Sequence, residues 1–242
     1  MKWKHHRRFV RFVLPMIMTA LLCTTSPALI QVAIAASPTL QSAASFDQQA
    51  RSLYTHQKFT EAIPFFQQAA QGYQAAGNSI QQALSLSNLS LAHQQLGQWN
   101  EATQAIEQSL SILKSIPETT PGRSLAVAQV LDIQGSLFLA RGKTTQALTT
   151  WEQATKIYQQ EGKKDRALMS QINQAKALQN MGLYRRAIEL LDQSLALKSR
   201  GNVETLRAAL QKTPASMAMT TALRTLGESL RVVGDFPQAA SA

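Results

Sequence analysis

Cysteine is almost missing from this chain of 242 residues: Cys23 is the only one, and it lies in an N-terminal stretch that has the marks of an export signal. Beyond that stretch there is no thiol, so disulfide bonds, thiolate nucleophiles and cysteine-held metals are excluded together. Histidine is nearly as scarce. His5 and His6 share the N-terminal stretch, which leaves His56 and His93, neither with a second ligand at metal spacing. Aromatics make up 6% of the residues, and no run alternates apolar and polar residues with the period of two that a half-buried strand requires. No His-Glu-x-x-His, Gly-x-Ser-x-Gly or Gly-x-Gly-x-x-Gly occurs. Gly142-Lys143-Thr144 has the ending of a phosphate loop, but six residues separate Gly135 from Gly142 where that loop needs four, and the flanks have a helical pattern. These absences argue against an enzyme, a metal centre and a cofactor.

What the chain has instead is Ala, Leu and Gln, all good helix formers, which makes the fold class all-α. The formal charge is +10, but Lys2, Lys4, Arg7, Arg8 and Arg11 supply half of it before residue 37, where there is no acid. A nucleic-acid binder gathers its cations on one face or stripe. The remaining 19 basic and 14 acidic residues form only short clusters such as Lys163-Lys164 and Arg185-Arg186, so no nucleic-acid partner is expected.

Residues 1–36 have the layout of a secretory signal: a basic start through Arg11, an apolar run over 12–23, then Ala33-Ile34-Ala35-Ala36-Ser37-Pro38. The small residues predict cleavage next to Ala35 or Ala36, and a periplasmic or secreted product. The rival is an uncleaved anchor, which needs about 20 mainly apolar residues; Thr24-Thr25-Ser26-Pro27 interrupts the run. A lipoprotein box would place a small residue before Cys23, where Leu22 stands. No other membrane contact is expected. Residues 37–43 form a short linker in this scheme.

From residue 44 onward one phrase recurs. Its clearest copy is Leu89-Ser90-Leu91-Ala92-His93-Gln94-Gln95-Leu96-Gly97-Gln98-Trp99-Asn100-Glu101-Ala102. A small residue recurs at Ala50, Ser90, Gly135, Ala175 and Gly227, where two crossing helices leave no room for a larger one. A large residue follows three positions on, at Leu53, His93, Phe138, Leu178 and Leu230. Gly97, Gly142, Gly182 and Gly234 suit the left-handed residue that ends a helix. Phe59, Trp99, Tyr184 and Phe236 can cover the turn, and Ala62, Ala102, Ala147, Ala187 and Ala239 start a second helix against the first. Trp99 and Trp151 fall on positions expected to be core, and His93 fills a packing slot. Asn88-Leu89-Ser90 matches a glycosylation sequon but lies within a helical pattern, and is discounted.

These residues resemble the tetratricopeptide repeat, a helical hairpin that stacks into an α-α superhelix. The array runs over about 44–78, 83–116, 125–162, 166–200 and 216–242, the last copy incomplete. There are departures: Gln57 stands where the turn glycine belongs, Thr144 replaces the aromatic, and the alanines are spaced 40, 45, 40 and 52 apart rather than 34. Longer second helices are the expected cause, with extra residues at 117–124 and 199–216, and a short helix at 203–212. The array stops one turn into the last helix with no polar cap, which suggests the N-terminal portion of something longer, a truncated product, or self-association through an open end. Export, glutamine content and 40-residue pitch together resemble the N-terminal regions of cyanobacterial CHAT-domain proteins. No catalytic residue of that domain is present.

The tetratricopeptide resemblance implies that the first helix of each pair lines an inner groove. By the family's inward-facing positions, the peptide-contact candidates are Arg51, Ser87, Asn88, Gln95, Asn173, Lys176, Asn180, Arg224 and Arg231, with Gln48, Leu91, Asp132, Ser136 and Gln179 on the same faces. Asn88 and Asn173 share a register, and an amide offers both donor and acceptor to an extended peptide. The expected function is an extracytoplasmic scaffold for a protein or peptide. The alternatives are a regulatory portion of a CHAT-type peptidase and a self-assembly module.

Overall fold

The computed structural model describes residues 27–195 and 216–233, with side chains from residue 40. Two compact units divide the chain, Met1–Pro38 and Thr39–Ala242. Positions 1–26 of the export signal, the expected helix at 203–212, and the turn and second helix of the fifth copy (Gly234, Phe236, Ala239) lie outside the described residues.

The described residues form helices throughout, with no strand among them: α1 (Pro27–Thr55), α2 (Phe59–Ala75), α3 (Ser79–Gln95), α4 (Trp99–Ser115), α5 (Arg123–Ala140), α6 (Thr144–Gln160), α7 (Lys164–Asn180), α8 (Tyr184–Ser194) and α9 (Met217–Val233). Of α1, residues 39–55 belong to the second unit. One device ends most of these helices. A residue in the left-handed region, Gly97 at φ 69° for instance, turns the chain. The next residue's amide then reaches back to the last helical turn: Gln98 N to His93 O at 3.0 Å, and Leu183 N to Leu178 O at 2.8 Å. That bond satisfies a carbonyl that the helix end would otherwise leave unpaired. Where the first copy lacks glycine, Gln57 takes φ 60° itself.

The same three-residue turn joins successive pairs, at Gly77 and Gly162. The 40-residue pitch therefore has a different origin from the one expected. Second helices α2, α4 and α6 are 17 residues each, the same as first helices α3 and α7. Both helices of a pair are long, and each helix with its turn fills half of the pitch. The 45-residue step comes from a seven-residue connection, 116–122, and from α5, which has 18 residues.

Alanine sets the spacing inside each pair. Ala62, Ala102, Ala147 and Ala187 have no exposed surface, and neither have Ala50, Ser90 and Ala175 opposite them. The array also starts before residue 44. Ala43 is fully buried, and its Cβ lies 2.7 Å from where a Cβ on Gly72 would stand, so this end of the expected linker is packed helix. Trp151 is 2% exposed and belongs to the core, whereas Trp99 is 38% exposed and lies beside the Gly97 turn. Starting a helix immediately after a tight turn leaves the Trp99 ring no second helix to pack under. His93 is a satisfied core residue, its Nδ1 2.6 Å from the Gln98 amide oxygen.

First helices of neighbouring pairs approach closely, α3 on α5 and α7 on α9, whereas second helices lie further apart and meet only through long side chains, such as Leu148 of α6 at the cluster of Ala187 and Leu191. The more closely packed layer of a stacked array lies on the inside of its curve. The first helices are thus the inner layer.

Candidate groove of the repeat array

On the inner layer, residues three and four apart share a face. The half-buried or exposed line on α3 is Leu84, Asn88, Leu91 and Gln95; on α7 it is Met169, Asn173, Lys176 and Asn180. Asn88 and Asn173 are both half-buried, and neither side chain has a hydrogen-bond partner among the described residues. Lys176 is half-buried one turn from Asn173, and Asn180 is exposed. Gln95 is exposed beside Tyr54 of α1; its hydrogen bond to that hydroxyl opposes burial, which pushes the phenol's pKa above 10.0.

The other candidates fall elsewhere. Ser87 is 1% exposed, and its hydroxyl donates to Leu84 O at 2.8 Å. It is enclosed, because one residue's step round a helix from Asn88 turns a side chain about 100° toward the neighbouring helix. Arg51 is exposed but tethered, with Nε donating to Asp47 Oδ2 at 2.6 Å. Gln179 reaches α9, donating to Thr225 O at 3.1 Å and Ser229 Oγ at 2.7 Å, and so braces two helices. On α9 the register of Asn173 falls on Thr225, which is buried; Arg224 and Arg231 are exposed one position off that line.

Asp132 also leaves the groove. Its Oδ2 accepts from the Tyr158 hydroxyl at 2.9 Å and its Oδ1 from Ser170 Oγ at 2.8 Å, which ties α5 to α6 and α7. The same trio occurs earlier in the chain, at the same mutual spacing, as Asp47, Tyr73 and Ser85. There Ser85 Oγ lies 3.2 Å from Asp47 Oδ1. This two-pair recurrence is legible in the sequence, although single-repeat alignment hides it. Burial chiefly lifts the Asp132 carboxyl above 3.8, against the hydroxyls of Ser170 and Tyr158 and the charge of Arg166. The Tyr158 phenol is raised too, by burial first and then by the Asp132 charge.

The sign of the pH effect follows. The folded carboxyl prefers its proton, so its contribution to stability is full below the unfolded value and is lost as pH rises through the folded one. Asp132→Asn has no such loss. The melting temperature of the variant minus that of the parent is therefore expected to rise between about pH 4 and pH 7. A difference that is flat or falling over that range would refute the burial argument.

Among the described residues no group of three His, Cys, Asp or Glu is placed to hold a metal ion, and no helix is long and apolar enough to cross a membrane. The geometry defines a tetratricopeptide-type superhelix with an open inner face.

Comparison with known proteins agrees with that class. Residues 41–115 match the family model of the tetratricopeptide repeat. A putative kinesin light chain from Podosopora anserina with nearly identical TPR-like repeats superposes with TM-score 0.60 at 22% identity, covering 81% of this chain and 89% of that one. The apo form of RapI gives TM-score 0.59 at 14% identity, over 81% of this chain and 50% of that chain. PilF from Pseudomonas aeruginosa gives 0.51 at 14%, over 84% and 90%. At such identities the likeness is one of fold. No curated protein matches the chain significantly. None of these relatives is described as a CHAT-domain protein.

Proposed function

We propose that this chain is an extracytoplasmic, non-catalytic scaffold that holds an extended segment of a protein partner along its inner groove. Tetratricopeptide folds are typical of protein–protein interaction. The observation that carries the reading is the pair Asn88 and Asn173. Neighbouring polar groups on the inner layer are bonded within the fold, as Ser87, Gln94, Asp132 and Gln179 are. These two amides, half-buried and in one register, are left with unused donors and acceptors. An extended chain whose own N–H and C=O groups need partners supplies the complement.

Replacing both with alanine removes no hydrogen bond among the described residues. The double variant Asn88→Ala, Asn173→Ala is expected to keep its melting temperature and to recover partner from native cell extract roughly thirtyfold less well, at about 1 kcal/mol for each of two hydrogen bonds lost. A fall in both would assign the asparagines to the fold. Unchanged recovery would remove the groove from the function. Export rests on the signal-like residues 1–36, and sequencing the N-terminus of the native protein tests it. A start at Ala36 or Ser37 supports export, and a retained Met1 overturns cleavage.

A further inference from the structure

If the groove holds an extended chain, as proposed above, its side chains also say which chain. Across the inner layer the register of Asn88 runs Gln48 on α1, Asn88 on α3, Ile133 on α5 and Asn173 on α7. Ile133 interrupts an otherwise amide row. It is partly buried against the cluster of Val130 and Leu137, so its outer surface is an apolar step between two polar ones. The next row holds the cations. Arg51 is neutralised by Asp47 at 2.6 Å, whereas Lys176 has no ion-pair or hydrogen-bond partner among the described residues. Among the described residues the uncompensated charge of this row is therefore Lys176: none of the four residues that α1 to α7 place in either row is acidic, and Glu228, which continues the second row on α9, lies 3.9 Å from Arg224.

Packed helices lie about 10 Å apart, so the two steps from α3 to α7 span about 20 Å. An extended chain covers that distance in about six residues at 3.3 Å each. Its backbone meets the amides at the two ends, a side chain at its middle rests on Ile133, and a side chain about three residues further on reaches Lys176. Apolar surface removed from water on Ile133 favours a large apolar residue there. An ammonium with no partner among the described residues favours a carboxylate.

We infer that the groove selects an extended segment with a large apolar residue at its centre and an acidic residue about three positions to one side, with Ile133 and Lys176 as the two residues that set this preference and the direction in which the segment lies. Placing the charge at one end makes the two orientations of a peptide unequal. A symmetric groove would not distinguish them.

The test uses the full chain as bait against a displayed library of random twelve-residue peptides. The expected result is a set of binders with an apolar residue and an acid about three positions away, always on the same side. A set of binders with no such pattern, or with acids equally on both sides, overturns the selectivity while leaving the groove in place. Failure to select any binder instead removes the groove reading on which it rests. Variants separate the two determinants. Lys176→Glu should weaken the selected peptide about tenfold, as attraction becomes repulsion, and reselection should replace the acid with Lys or Arg while keeping the apolar centre. Ile133→Asn should abolish the apolar preference and keep the acid. Ile133 also rests on the core, so melting temperatures are measured alongside; if that variant unfolds, Lys176→Glu and Lys176→Gln decide the matter, since Lys176 bonds to nothing among the described residues. Binding unchanged in both lysine variants would refute the proposal.

Discussion

Trp151→Ala should lower the stability of the array by about 3–5 kcal/mol, the usual loss for a buried aromatic cut back to a methyl. The indole is 2% exposed and packs with Ala147 and Ala177 under Phe138 and Leu139. Its Nε1 donates to Asp132 O at 3.1 Å, and Gln174 Nε2 donates to the Trp151 carbonyl at 3.2 Å. One residue of α6 thus joins α5 to α7. Stability in a stacked array is close to a sum of repeat terms and nearest-neighbour interfaces. Loss at this interface should therefore split thermal unfolding into two steps, followed by circular dichroism, rather than only shift one. Trp99→Ala serves as the comparison. Its ring is 38% exposed beside a turn, and the substitution should cost about 1 kcal/mol or less. Equal losses at both tryptophans would show that the core has been misplaced.

The second large effect is at Gly135, on the other side of the same contact. A Cβ added there would stand 2.6 Å from both Cε2 and Nε1 of Trp151 and 2.9 Å from Cδ1. These are ring atoms of a buried side chain with no room to swing away. Alanine would favour the helix by about 1 kcal/mol. Overpacking costs about 1–3 kcal/mol, and displacing the indole from Asp132 O adds about 1 kcal/mol. Gly135→Ala is expected to be destabilising by about 2 kcal/mol in urea unfolding. With Trp151→Leu in place, Gly135→Ala should cost less, because the short branched chain leaves empty the space of Nε1 and Cε2. The two changes then couple by about 1 kcal/mol or more. Additive losses would mean that the clash is not the cause.

Most of the fold was legible in residue identities. Small residues at Ala50, Ser90, Gly135 and Ala175 and the alanines twelve positions after them recur because two helices can cross closely only where side chains are short. Turn glycines recur because a left-handed residue costs other side chains about 1–2 kcal/mol. The candidate groove was less legible. Asn88 and Asn173 were visible from register alone, but Ser87 and Asp132 appeared equally eligible, and only packing shows that Ser87 bonds its own helix and Asp132 bonds Tyr158 and Ser170. Neighbouring residues on a helix differ by about 100° in direction. A pattern of residue types cannot say which of two polar neighbours the next helix will cover.

The sequence by itself determined the helical hairpin, the places where it turns, the contact faces of its two helices and the shared register of the two free amides. All of these depend on side chains close in the chain or on a fixed period. Tertiary structure alone decided that both helices of the first three pairs are long, that Trp151 is core while Trp99 is not, and that, among the described residues, Lys176 has no partner where Arg51 has Asp47. Those outcomes depend on how successive hairpins stack, and contacts between residues far apart in the chain set them.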